Sequence, residues 1–193
     1  MADKLDETKA ALHFKTTIKT YDFSAMVAYL EKDIVLGGDF SGYIKDGGFY
    51  GEFTYTFTDE DDSRDNFFRG VLGYSYAWPS GLILGVEAYY NGGALDKNPD
   101  NISALMDMES ALDTLNKYFI GLNASYQLHP LVTLSGAFIY EPDKGSFVLA
   151  PAMEWLYSDH MAIVLGMQVF GGAQNGEYGA YNNISYIRIR WDI

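Results

Sequence analysis

The sequence predicts an all-β fold: a transmembrane antiparallel up-and-down β-barrel of about 12 strands, with about 10 as the alternative. Three observations predict it. Apolar and polar residues alternate with period two along most of the chain. The links between alternating segments are short and long by turns. Large apolar side chains share one face and small or charged ones the other, the reverse of what a water-soluble barrel buries.

The alternation can be followed segment by segment. "ALHFKTTIKTY" sets Leu12, Phe14, Thr16 and Ile18 against His13, Lys15, Thr17 and Lys19. "GFYGEFTYTFT" opposes Phe49, Phe53, Tyr55 and Phe57 to Tyr50, Glu52, Thr54 and Thr56. "FFRGVLGYSYAW" opposes Phe68, Leu72, Tyr74, Tyr76 and Trp78 to Arg69, Val71, Gly73, Ser75 and Ala77. In "GLILGVEAYY" one face is apolar through Leu84, Val86 and Tyr90, and the other carries Gly85 and Glu87. "YFIGLNASYQL" and "SFVLAPAMEWLY" repeat the pattern, the second placing Ala150, Ala152 and Glu154 opposite Leu149, Met153 and Trp155. The chain closes on "YIRIRWDI", where Ile187, Ile189 and Trp191 alternate with Arg188 and Arg190. In a strand such neighbours point to opposite faces. The predicted strands cover roughly 10–20, 22–31, 34–44, 48–58, 67–78, 81–91, 117–128, 131–140, 146–157, 161–170 and 183–193. An even strand number, the rule for bacterial single-chain barrels, then requires one more or one fewer.

Short turns are predicted at "YD", "KDGG", "WPSG", "LHPL" and "SDH", and longer links at "TDEDDSRDN", "NGGALDKNPDNISALMDMESALDTLNK", "EPDKGS" and "GGAQNGEYGAYNN". Tight periplasmic turns and long extracellular loops give a membrane barrel this asymmetry. Aromatics gather near strand ends (Tyr76, Trp78, Tyr126, Trp155, Tyr157, Trp191), as interfacial girdles require. One segment departs from period two. In the long loop 93–116, Leu105, Met108, Leu112 and Leu115 fall at three- and four-residue steps after Pro99, which predicts a short helix that either caps the rim or narrows the mouth.

Composition narrows the function. The formal charge of −13 argues against nucleic acid as a partner, since phosphate binding needs a cationic face. No cysteine is present, so disulfides, thiolate metal sites and cysteine nucleophiles are excluded. No run reaches the roughly 18 apolar residues of a membrane-spanning helix. Residues 1–9 form a polar leader without the apolar core of a signal peptide, so an exported protein is expected here in mature or recombinant form. The whole of 1–193 reads as one barrel domain.

From about Ile34 to Ile193 the chain resembles the C-terminal strands of porin-like outer-membrane barrels of Gram-negative bacteria, including the alginate-export type. The resemblance rests on "VLGYSYAWPSGLILGVEAYYNGG", on the stretch from "YFIGLNASYQLHPL" to "VLGMQVFGG", and on the terminal "YIRIRWDI". It implies a bacterial outer-membrane location, a lipid bilayer around the barrel, and an alternating terminal signal read by the outer-membrane insertion machinery. Such proteins usually end in an aromatic residue, whereas this chain ends in Ile193. Members are usually longer, so the resemblance also implies a shortened or engineered barrel.

The side chains predicted to line the interior are Lys15, Lys19, Asp39, Glu52, Arg69, Glu87, Glu154, Arg188 and Arg190. Mixed charge there either fills a narrow lumen with ion pairs, giving a closed structural scaffold, or lines a water-filled pore. Small inward residues such as Gly73, Ser75, Gly121, Ser125 and Ala137 favour the pore. The expected function is passive diffusion of small ions or solutes. Acidic outer loops, above all Asp59, Glu60, Asp61, Asp62 and Asp65, favour cations modestly. That acidic run lacks the glycine and distal glutamate of an EF-hand, so no metal site is expected. An outer-membrane enzyme is the alternative of a different class, but His129 and His160 fall in short turns and His13 has no obvious nucleophile beside it. No catalytic residue and no cofactor is expected.

Overall fold

Two-residue hairpins organise the first third of the chain. Ile18 pairs with Tyr21, Leu30 with Asp33, and Ile44 with Gly47. Lys19, Lys32, Lys45 and Asp46 take positive φ of 59°, 83°, 48° and 66°. Positive φ in a two-residue loop matches the twist of the strands it joins. The first turn therefore lies two residues earlier than "YD": Tyr21 and Asp22 already belong to the following strand. Lys19, expected on the inner face, sits in that turn, because left-handed backbone at this position ends the strand at Ile18.

A computed structural model describes residues 9–30, 32–59, 65–94 and 114–192. The strands are β1 (Lys9–Ile18), β2 (Tyr21–Leu30), β3 (Asp33–Ile44), β4 (Gly47–Phe57), β5 (Phe67–Ala77), β6 (Leu82–Asn91), β7 (Tyr118–His129), β8 (Val132–Glu141), β9 (Ser146–Ser158), β10 (Met161–Gly172) and β11 (Ile184–Trp191). They form one antiparallel up-and-down sheet in sequence order, with 11 strands among the described residues rather than about 12. Within those residues β1 and β11 each pair on one side only and do not pair with each other. The helix expected within 93–116 has its stripe residues Leu105, Met108 and Leu112 outside the described residues; Leu115 is described and buried.

Cross-strand register carries the parity of each strand to its neighbour. Leu12 lies opposite Val27, Val27 opposite Leu36, and Leu36 opposite Tyr55. That row is apolar, and its members are exposed. The same face continues through Leu72, Val86, Leu122 and Phe138, and through Leu149, Leu165 and Ile187 on the last strands. Leu12 and Ile187 are each 72% exposed. A soluble monomer rarely exposes apolar patches beyond a few hundred Å², and this face extends over every strand. Glycines on it seat aromatic rings: a Cβ at Gly38 would lie 2.8 Å from the Phe53 ring, and one at Gly51 2.7 Å from the Phe40 ring. The other face holds the buried side chains of the strands, namely Ala28, Thr56, Phe67, Asn91, Phe119, Glu141, Ser146 and Ala162.

Connections from odd to even strands are tight (19–20, 45–46, 78–81, 130–131 and 159–160). Those from even to odd strands include the long 58–66, 92–117 and 173–183, together with the short 31–32 and 142–145. The long connections therefore share one rim.

Candidate functional site: the inner wall and its covered rim

Three rows of paired residues build the polar face. In the first, Lys15 lies opposite Ser24, Ser24 opposite Asp39, Asp39 opposite Glu52, and Glu52 opposite Val71. In the second, the order is Thr17, Asp22, Ser41, Tyr50, Gly73, Glu87 and Gly121. In the third it is His13, Met26, Gly37, Thr54, Arg69 and Asn91. Period two puts all three rows on one face. On the far strands Arg188 lies opposite Val164, and Val164 opposite Glu154. Of the nine residues predicted to line the interior, eight thus share this face, and only Lys19 falls outside it.

The wall is held by short polar contacts. Tyr50 donates its phenolic hydrogen to Glu87 Oε1, and Ser24 Oγ donates to Asp39 Oδ2. Gly73 permits the first contact, because a Cβ there would strike the Tyr50 ring. Arg69 Nε donates to Asn91 Oδ1 at 2.8 Å while its guanidinium stands 4.8 Å above the Phe67 ring. Arg190 pairs with Glu154 at 3.6 Å and with Asp192 at 3.5 Å. Asp39 and Glu52 oppose each other directly across β3 and β4. Like charges so placed repel, and water around them reduces the cost by its dielectric.

At the long-loop rim the structure gathers residues that the sequence did not single out. Ser146 Oγ donates to Glu141 Oε2 at 2.8 Å, and Lys144 N–H to Glu141 Oε1 at 2.6 Å. Glu177, from the link 173–183, accepts Leu115 N–H at 2.8 Å and Asn116 N–H at 3.2 Å. Asp143 accepts Lys117 N–H at 2.8 Å. Burial pushes the Glu177 carboxyl above the usual carboxylate range; the amide hydrogen bonds oppose this and the Glu141 charge adds to it. Burial also pushes the Tyr178 phenol up to about 12, helped by Glu177 and Glu141. Glu141 could be placed inward by alternation from Ala137. The role of Glu177 could not, because its partners lie 61 and 62 residues away in sequence. His129 Nδ1 accepts Leu131 N–H at 3.2 Å within a short turn, and His160 lies in another. Glu60, Asp61 and Asp62 lie outside the described residues. Asp59, at the start of that run, pairs with Lys32 at 3.6 Å.

No protein-family model matches the chain, and no curated protein matches it. Among solved structures it is similar to OmpT (in-vitro folded), an outer membrane protein of Vibrio cholerae, with a TM-score of 0.56 over 94% of this chain at 8% identity. The chain shares its fold, an antiparallel up-and-down β-sheet, with that outer membrane protein. The chain spans 63% of the length of that protein. The KdgM porin and the NanC porin each align at 9% identity, over 97% and 96% of this chain and 94% and 93% of theirs, with TM-scores of 0.44 and 0.45.

Proposed function

We propose that the protein is an outer-membrane channel for passive diffusion of small ions or solutes, with a modest preference for cations. One observation supports this above the rest: a continuous polar face on which Asp39 and Glu52 stand opposed, backed by an apolar face exposed on every strand. Hydrocarbon suits the apolar side, and an enclosed aqueous space suits the other. On β2 to β6 of that face the acidic side chains Asp22, Asp39, Glu52 and Glu87 outnumber the single cation Arg69, while Lys15, Arg188 and Arg190 occupy the outermost strands. An acidic wall raises the local cation concentration. The long-loop rim is read as the extracellular side, and the tight turns as periplasmic.

Planar-bilayer recording of the refolded chain tests the reading. Discrete openings are expected, with a reversal potential in a salt gradient displaced toward the cation. Folded protein without openings would replace this reading with a closed scaffold, and an anion-directed reversal potential would remove the cation preference.

A further inference from the structure

We propose that residues 173–183 form a proton-linked strap, seated across the inner wall at the long-loop rim in acid and released as pH rises. The inference rests on the channel reading for its effect on conduction, though not for the strap itself.

The strap turns inward. Its Tyr178 ring packs edge-on against Phe119 at 6.3 Å, and its Tyr181 ring lies 5.4 Å from Phe170. Tyr178 N–H donates to Ser146 Oγ at 3.1 Å, and Ala173 N–H donates to Gly145 O at 3.2 Å. Phe119, Glu141, Ser146 and Phe170 lie on β7, β8, β9 and β10, all on the polar face, so one link crosses four strand ends on their inner side. Asn183 Oδ1 accepts Phe170 N–H at 2.9 Å at the far end.

Its attachment is built for a close fit without strand pairing. A Cβ at Gly176 would lie 2.5 Å from Ser146 Cβ and 2.9 Å from Glu141 Oε2, so only glycine lets the strap sit down. Gly172, at φ +99°, turns the chain out of β10 into the strap. Hydrogen bonds and ring contacts hold it in place, and such links open locally at lower cost than paired strands.

The proton linkage follows from what Glu177 faces. The Glu141 carboxylate on β8 acts on it, as it acts in turn on the Tyr178 phenol, which also couples to Tyr181; in the adjoining links Lys144 N–H donates to Glu141 and Lys117 N–H to Asp143. Burial raises the carboxyl's pKa when the strap is seated, and release into water returns it to the ordinary range. The seated form therefore binds the proton more tightly, so acid favours seating and rising pH favours release.

Two measurements on the full chain test this, between about pH 4 and about pH 8, a range bracketing carboxylate titration. Hydrogen exchange, normalised for intrinsic rates, reads the Leu115 and Asn116 amides that donate to Glu177. Their protection should fall with pH, about tenfold for each pH unit by which the carboxyl is raised. In Glu177→Gln the protection should no longer depend on pH, and in Gly176→Leu it should be low throughout. Single-channel conductance should rise with pH in the natural chain and be pH-independent and high in Gly176→Leu. Protection that is flat with pH, or a Glu177→Gln variant that keeps the natural profile, overturns the strap. pH-dependent protection without openings in any variant supports the strap and overturns the channel.

Discussion

Asp39 and Glu52 show what a single register position can reveal. Two carboxylates directly across a ladder repel, and a packed interior would magnify the cost. Asp39 accepts a hydrogen bond from Ser24, which offsets part of it, and Glu52 is exposed. Replacing both by Asp39→Asn and Glu52→Gln should leave folding intact and lower the cation-to-anion permeability ratio roughly two- to fivefold, the scale of one or two screened charges in water. Reversal potentials in a salt gradient measure it, and an unchanged ratio would place the selectivity elsewhere. Their opposition needs the register of β3 and β4, but that both face inward was legible from alternation alone. The contact between Tyr50 and Glu87 was not, because it needs the register that brings Gly73 between them.

At the scale of the strand, β7 offers the cleanest test of orientation. Leu122 is 48% exposed on the apolar face, and Asn123, the next residue, points the other way and would overlap a Cβ at Gly85. Leu122→Arg should destabilise the protein in liposomes by about 2–4 kcal/mol if the residue lies near the bilayer midplane. Asn123→Arg should cost well under half of that, since it adds charge to a wet wall. Urea titration of the two variants decides between the faces, and equal costs would contradict the assignment. Parity of this kind is readable because period two is a local property of the chain. Turn placement was less so. Lys19 looked like a strand residue by alternation, yet the hairpin takes its left-handed backbone there. The rim contacts of Glu177 depend on distant segments meeting, which no local pattern encodes.

At the scale of the whole sheet, the order β1 to β11 leaves two strands with one neighbour each among the described residues. An unpaired edge presents its amides to exchange. Amides of β1 and β11 should therefore exchange well ahead of those in β4 to β8, and hydrogen exchange of the refolded protein measures the gradient. Uniform protection would mean that both edges are covered.

The odd count among the described residues sets the direction of the outer strands. β1 and β11 run the same way, each from the long-loop rim toward the tight turns. The backbone thus enters the sheet at Lys9 at the long-loop rim and leaves it after Trp191 at the tight-turn rim. With the long-loop rim outside, as proposed, epitope tags inserted directly ahead of Lys9 and directly behind Trp191 show opposite sidedness: antibodies added to unbroken cells reach the first and miss the second.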